Sequence, residues 1–383
     1  MVKTRKVKTN RRKTNKRRLK KVGGSDKPIK SRNCHPQVIG KTISDDSCLT
    51  SDILEKIKHK YNEKATEKIL TTEPIEIYEE LNRKIKTCDS ERCLIEKAVK
   101  DDHLFHQWIK EIEAPEHPKE WKKNPNEWLS NIDIDSVMKQ YEKAYPEFLF
   151  ISPTSINFDE SDTHGTCVDQ ILCKLTLTDV LTRNPQKRKI GMVFNLSRND
   201  EPGSHWVSLY IHLPEITVNK KMQKKNLPKN HEELCSQLLD QKYDGTWDEK
   251  TPYAFFFDSG GDDTPQEVLN MVCRYYQEWE IIKPEQEMSM KYDDNHRTKA
   301  EHQSGGTECG MYSLFFIVTM LTGICGGKVA LSKKKEIKEK EICPEDFQLD
   351  SEQKKRIFFQ THGKRIPDDF VEQFRHFYFN SKE

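Results

Sequence analysis

The chain has 383 residues, of which 34% are hydrophobic and 33% are charged, and its formal net charge is +2. This length allows a sizeable core and more than one domain. No apolar run is long enough to predict a transmembrane helix, and the basic N-terminus lacks the apolar segment of a secretory signal. We therefore expect no membrane partner.

The cysteines predict free thiols in an intracellular, reducing compartment. There are eleven of them, an odd number without paired spacing, which argues against a disulfide framework. A zinc site is the alternative, with Cys88 and Cys93 close in sequence to His103 and His106. The chain has no C-x-x-C pair, so four ligands at the usual spacing cannot be assembled. We expect no metal site.

Residues 1–45 are predicted to be a disordered basic tail. Residues 1–21 contain twelve Lys or Arg and no acidic residue, and Gly23-Gly24-Ser25 follows soon after. Such an arm would bind DNA phosphates without reading sequence, whereas the rest of the chain has more acidic than basic residues and would repel DNA. A nuclear-import signal and a plain solubility tail are the alternatives.

Residues 46–124 are predicted to form a helical N-terminal extension. Thr50 or Ser51 can cap a first helix. Pro74 suits the first turn of a second helix, and Ser90 can open a third. The pattern leaves the role of this extension open, since it could regulate access, dock substrate or only stabilise the protein.

Residues 125–383 are predicted to form the main domain, which follows a proline-rich linker. It begins with EWLSNIDIDSVMKQY, in which Ser130 or Asn131 can cap a helix. Strands and a helix are then predicted in turn. The strands are residues 148–157, 189–196, 207–213 and 254–257, and the helix is residues 264–280.

A histidine and an aspartate lie at the ends of two successive predicted strands. His205 directly precedes WVSLYIHL, and Asp258 directly follows YAFFF. Each has a plain explanation, since His205 could be a loop residue and Asp258 could cap the turn after it. Together they can supply a base and the group that orients it.

The stretch QSGGTECGMYSLFFIVTMLT, residues 303–322, offers a nucleophile. A glycine-containing turn precedes Cys309, and the uncharged run after it predicts a buried helix that starts at this cysteine. The positive end of a helix dipole favours the thiolate. Gln303, six residues earlier, offers an amide donor for an oxyanion. A cysteine on an apolar helix is ordinarily inert, but the polar turn before this one argues for function.

These residues carry a resemblance to a known family. The order His, Asp, Gln, Cys and the step from Gln303 to Cys309 are similar to those of the SUMO- and ubiquitin-like-protein-specific cysteine proteases and the adenovirus proteinase. The form of these motifs in this chain is most similar to that of the thiol proteases of large DNA viruses. The resemblance covers residues 125–383. It departs at Glu308, where eukaryotic members commonly have aspartate. The matching motifs are His205-Trp206, Asp258-Ser259, Gln303 and Cys309-Gly310-Met311.

The resemblance implies an α+β fold with a papain-like protease core of the SUMO-protease and adenain type. Its central helix carries the cysteine and packs on a mixed β-sheet. The resemblance further implies a catalytic triad of His205, Asp258 and Cys309. Gln303 and the backbone N–H of Cys309 would form the oxyanion hole, and no cofactor is needed.

Two tryptophans are the substrate-binding candidates that the resemblance implies. Trp128 would flank the substrate channel, although it could equally be an aromatic anchor in the core. Trp206 follows the histidine, where its indole could shield the imidazole from water. A narrow aromatic channel implies cleavage after glycine, often Gly-Gly, because glycine has no side chain.

The implied function is that of a cysteine endopeptidase. In the viral branch such an enzyme processes virion precursors, and the expected location is the virion or host cytoplasm, with the nucleus as an alternative. The cellular branch removes ubiquitin-like modifiers by the same chemistry, so a deSUMOylase or deubiquitinase-like isopeptidase is an alternative. An inactive protease fold that binds nucleic acid in a virion is a rival from another class.

Overall fold

The computed structural model describes residues 32–216, 231–240, 247–284, 287–326, 343, 348–360 and 365–380. The chain divides into two compact units, one that ends at Ile112 and one that comprises His35–Gln37 and Glu113–Glu383. The basic arm of residues 1–21 lies outside the described residues. None of the helices in the described part is both long and apolar enough to cross a membrane.

The described part of the smaller unit contains four α-helices that share one apolar core. The side chains of Thr50 and Ser90 accept backbone hydrogen bonds at the starts of the first and third helices, and Pro74 begins the second, as the sequence predicts. The helices are α1 Ser51–Lys64, α2 Pro74–Lys84, α3 Glu91–Val99 and α4 Asp102–Ile112.

The cysteines differ from the sequence prediction, because eight of them pair in disulfides. The expectation of free thiols is wrong for these eight, and the pairing also removes two of the candidate zinc ligands. Sequence spacing does not reveal pairs that depend on how segments pack. The pairs are Cys34–Cys48, Cys88–Cys93, Cys167–Cys173 and Cys235–Cys273.

The predicted disordered tail also differs from the structure in part. Residues 32–45 of this tail are structured, with a 3₁₀ turn at Pro36–Val38.

The larger unit is built on a five-stranded mixed sheet whose strands lie in sequence order. The strands are β1 Phe148–Ser155, β2 Lys189–Asn195, β3 Trp206–His212, β4 Tyr253–Phe257 and β5 Lys291–Asp294. The two outer pairs, β1–β2 and β4–β5, are parallel, and the two inner pairs are antiparallel. The predicted α+β class with a mixed sheet is therefore confirmed.

Helices cover both faces of this sheet, and the strands alternate between two cores. Tyr210 and Phe255 point into the core shared with the central helix, whereas Leu209 and Phe256 point into the opposite core. The strands are therefore buried on both sides. The helices are α5 Asn131–Ala144, α6 Leu177–Arg183, α7 His231–Leu239, α8 Gln266–Ile282, α9 Cys309–Thr322, α10 Glu352–Phe359, α11 Asp368–Val371 and α12 Arg375–Tyr378.

The central helix α9 packs tightly on the sheet at Gly191. A Cβ atom on this glycine would lie 2.8 Å from Cζ of Phe148 and 3.0 Å from Cγ2 of Ile317, which belongs to α9. A side chain here would displace one of these neighbours, since protein interiors have few voids to absorb it. Because α9 begins at Cys309, its packing on the sheet determines where that cysteine lies.

Gly191→Ala should lower the free energy of unfolding by about 1–3 kcal/mol, the usual cost of overpacking a core. Urea denaturation measures this difference. Gly306→Ala is the control, because a Cβ atom there would meet nothing within 4 Å. Equal denaturation midpoints for Gly191→Ala and the unmodified protein would contradict the close packing of α9 on β2.

Candidate active site

His205 and Asp258 meet at one end of two neighbouring inner strands of the sheet. His205 directly precedes β3 and Asp258 directly follows β4, and because these strands are antiparallel the two positions are neighbours. Nε2 of His205 lies 2.6 Å from Oδ1 of Asp258. The aspartate side chain is 2% exposed, whereas the histidine side chain is 24% exposed and so retains access to solvent.

Asn295 clamps the backbone of Asp258, although no sequence motif singles it out. Its Oδ1 accepts the N–H of Asp258 at 2.9 Å, and its Nδ2 donates to the carbonyl of Asp258 at 2.6 Å. Nδ2 also donates to the carbonyl of Ala300 at 2.8 Å. Asn295 is fully buried and directly follows β5. A polar residue at a strand end is the only sequence signal, and Asp293 and Asp294 share it.

Cys309 is the first residue of α9 and is 1% exposed. Burial alone would lower the pKa of His205, but hydrogen bonds to Asp258 and Cys309 outweigh it and raise this pKa to about 10. The imidazole is therefore protonated at neutral pH. An imidazolium is the form that pairs with a thiolate, which is the nucleophilic form of cysteine.

Trp206 packs beside Gly310, the residue after Cys309. Its Nε1 donates to the carbonyl of Leu129 at 2.9 Å, and the residue is 7% exposed. A Cβ atom at Gly310 would lie 3.0 Å from Cβ of Leu129 and 3.3 Å from Cδ1 of Trp206, so a side chain on the residue after the cysteine would have to displace these neighbours slightly. Trp128, next to Leu129 in sequence, is partly exposed.

The side-chain amide of Gln303 is held at both ends. Its Oε1 accepts the hydroxyl of Ser259 at 2.7 Å, and its Nε2 donates to the carbonyl of Gly305 at 2.9 Å. The backbone N–H of Gln303 also donates to the carbonyl of Ser259 at 2.8 Å. Because Ser259 follows Asp258, the amide is tied to the strand end that carries the aspartate. A primary amide has two N–H donors, so the contact with Gly305 orients the second one.

This arrangement suits attack on a carbonyl group. His205 contacts Asp258 directly, Cys309 helps to raise the pKa of His205, and Gln303 is joined to the strand end of Asp258 through Ser259. A thiolate with a proton donor beside it and amide donors near it can form and stabilise a tetrahedral intermediate. Within the described part of the chain, no group of His, Cys, Asp or Glu side chains could hold a metal ion.

Comparisons with known proteins relate part of this chain to a protease family. Residues 186–342 match the family model described as "Ulp1 protease family, C-terminal catalytic domain". This range includes His205, Asp258, Gln303 and Cys309, but not Trp128.

One sequence relative and one solved structure extend the comparison. A "Putative thiol protease" of Acanthamoeba polyphaga mimivirus is 25% identical over 250 residues, and the alignment spans 62% of this chain and 62% of that relative. The crystal structure of an ASFV protease matches with a TM-score of 0.50 and 17% identity, over 95% of this chain and 99% of that chain. The structural match shows the fold.

Asp258→Asn should bring the pKa of His205 down towards its usual value, because the mutation removes the carboxylate that stabilises the imidazolium. A raised pKa means that the stabilising contribution of His205 is complete below about pH 6.5 and is lost as pH rises through about 10. In the variant this loss should occur at lower pH. NMR titration of the imidazole ring and thermal unfolding between pH 6 and 10 measure both changes.

A matched control comes from the exposed pair of His296 and Asp263, whose Nε2 and Oδ1 lie 3.0 Å apart. Asp263→Asn should leave the titration of His205 unchanged. If His205 in Asp258→Asn still titrates near pH 10, another group protonates the ring and the assignment of Asp258 is wrong.

Proposed function

We propose that this chain acts as a cysteine endopeptidase through His205, Asp258 and Cys309, with Gln303 in the oxyanion hole. The match of residues 186–342 to the catalytic-domain model of the Ulp1 protease family supports this proposal. The observation that carries this proposal is the 2.6 Å contact between His205 and Asp258 at the ends of β3 and β4. Cys309 also helps to raise the pKa of this histidine. A buried carboxylate that orients an imidazole beside a thiol is the arrangement of a cysteine protease.

The reaction begins from the thiolate of Cys309 and the imidazolium of His205. The sulfur attacks the carbonyl carbon of the substrate, and the carbonyl oxygen takes the negative charge. The amide of Gln303 and the backbone N–H of Cys309 donate hydrogen bonds to that oxygen; this N–H has no acceptor within its own helix, because Cys309 is in the first turn. His205 gives its proton to the leaving amine, and a thioester forms.

Water completes the cycle. His205, now neutral, takes a proton from water as the water oxygen attacks the thioester carbonyl. The acyl carbon–sulfur bond breaks, which releases the carboxylic acid and restores the thiolate and the imidazolium. Throughout, Asp258 keeps the ring orientation fixed, because its own backbone is held by Asn295.

We propose that cleavage follows Gly-Gly sequences. The 1% exposure of Cys309 and the wall formed by Trp206 and Leu129 support a confined approach to the sulfur. A glycine on the acyl side of the cleaved bond has no side chain to collide with this wall. The partly exposed Trp128 is the proposed contact for the extended substrate beside it.

We propose viral structural precursors as substrates, with removal of a ubiquitin-like modifier as the second candidate. Purified full-length protein should be assayed against Gly-Gly-X peptides and against SUMO and ubiquitin conjugates. Cleavage of the peptides alone supports precursor processing, and efficient cleavage of a conjugate supports an isopeptidase. Failure to cleave any of them contradicts the Gly-Gly proposal. DNA binding by residues 1–21 stays a prediction from the sequence.

Cys309→Ala should abolish cleavage and leave the thermal midpoint near that of the unmodified protein, because only the sulfur is removed. Cys309, Cys325 and Cys343 are the described cysteines outside the four disulfides, and all three are buried. Faster alkylation of Cys309 at mildly acidic pH would therefore reflect thiolate chemistry and not access. Mass spectrometry of the alkylated protein measures the three rates.

The control for this experiment is Cys325→Ala, which should cleave at the rate of the unmodified protein. Turnover by Cys309→Ala would contradict the assignment of the nucleophile. Faster labelling of Cys325 or Cys343 than of Cys309 would contradict it as well.

Gln303→Ala should lower kcat about a hundredfold with little change in KM, as expected when one oxyanion donor is lost. Steady-state kinetics on a Gly-Gly peptide measure the two constants. Gln266→Ala is the control, since Gln266 is an exposed glutamine that bonds Asn270 on the surface of α8. A loss confined to KM would assign Gln303 to substrate binding and exclude the oxyanion role.

A further inference from the structure

A carboxylate from the C-terminal segment binds the loop of residues 303–308, which precedes the nucleophile. Asp368 is the first residue of α11 and lies beyond the range of the family match. Its Oδ2 accepts the hydroxyl of Ser304 at 2.7 Å, the N–H of Ser304 at 3.1 Å and the N–H of Gly305 at 2.9 Å. Three contacts from two consecutive residues hold this part of the loop against α11.

The same carboxylate also contacts the central helix. Tyr312 lies one turn after Cys309 and is fully buried. Its hydroxyl lies 2.9 Å from Oδ1 of Asp368 and 2.7 Å from the carbonyl of Ile366. Asp368 therefore joins the loop before the nucleophile to the helix that begins with it.

Ionisation of Asp368 strengthens these contacts. Partial burial raises its pKa, but hydrogen bonds from Ser304, Tyr312 and Gly305 outweigh burial and lower this pKa below its usual value. Arg365 adds a positive charge, with Nη2 at 3.3 Å from Oδ2 of Asp368. Hydrogen bonds to an ionised acceptor are stronger than those between neutral groups.

Gly305 links Asp368 to the amide of Gln303. The N–H of Gly305 bonds Asp368, while its carbonyl accepts Nε2 of Gln303 at 2.9 Å. The loop is tight at this point, because a Cβ atom on Gly305 would overlap the carboxylate of Glu308. A fixed Gly305 therefore fixes one N–H of the Gln303 amide, and with it the direction of the other.

We propose that Asp368 is a positioning residue that aims the amide of Gln303 at the oxyanion, a role that rests on the function proposed above. Without the carboxylate, the N–H groups of Ser304 and Gly305 would turn towards water. The amide would then lose its fixed direction relative to Cys309. Transition-state stabilisation depends on donors that are oriented before the reaction, so a small displacement has a large effect on rate.

Asp368→Asn tests this role, because asparagine has nearly the same size but one amide nitrogen in place of an acceptor oxygen. We expect kcat on a Gly-Gly peptide to fall about tenfold to a hundredfold, with KM within about twofold of the unmodified protein. Alkylation of Cys309 by iodoacetamide should keep its rate, since that reaction needs the thiolate and not the oxyanion hole. The thermal midpoint should stay near that of the unmodified protein.

Two further variants sharpen the result. Ser304→Ala removes one of the three loop contacts and should lower kcat less than Asp368→Asn does. Asp350→Asn removes an acid of the C-terminal segment whose Oδ1 pairs with Nζ of Lys354 at 2.8 Å, and it should leave kcat unchanged.

A Gly-Gly peptide aldehyde reports on the oxyanion hole without turnover. The thiolate of Cys309 adds to the aldehyde carbon, and the aldehyde oxygen takes the place of the oxyanion. Asp368→Asn should bind this aldehyde about tenfold to a hundredfold more weakly.

Three outcomes would overturn the inference. An Asp368→Asn variant with unchanged kcat and unchanged aldehyde affinity would exclude a positioning role. A parallel loss of thermal midpoint, alkylation rate and kcat would make Asp368 a structural residue only. Unmodified protein that neither cleaves the peptide nor binds the aldehyde would overturn the proposed function, and this inference with it.

Discussion

The burial of α9 on every side is the constraint on which the larger unit depends. The helix has no charged residue, and its residues from Cys309 to Leu321 are all buried. A helix without a polar face has to be enclosed, here by the sheet on one side and by α5 and the C-terminal helices on the other. This enclosure brings the start of α9 to the end of the sheet at which β3 begins and β4 ends. Hydrophobic packing therefore sets the position of Cys309, the proposed nucleophile.

Polar contacts then set the orientation of the groups around that position. Each loop that carries a proposed catalytic residue is held by a side chain from another segment. Asn295 holds Asp258, Ser259 holds Gln303, and Asp368 holds the turn between Gln303 and Cys309. Asn295 also satisfies backbone groups of Asp258 and Ala300 that would otherwise be buried without partners. The proposed site combines the apolar packing of α9 on the sheet with loops in which a few polar contacts orient Asp258 and Gln303.

The region that matches the Ulp1 family model and the segments that flank it contribute different parts of this arrangement. The range of the family match includes all four proposed catalytic residues. Leu129, which packs against Gly310, lies before that range, and Asp368 lies after it. Segments on either side of the matched range therefore pack beside Gly310 and hold the loop before Cys309, so the proposed site depends on residues that the family match does not include.

The sequence by itself determined the features that depend on local pattern. The start of α9 at Cys309, the helix caps at Thr50, Ser90 and Ser130, and the strand ends at His205 and Asp258 follow from residues within a few positions of each other. Only the tertiary structure decided the contacts between distant segments. Asn295 lies 37 residues from Asp258, Asp368 lies 64 from Ser304, and Cys235 pairs with Cys273 across 38. Such partners share no periodicity or motif, because they meet only when sheet and helices have packed.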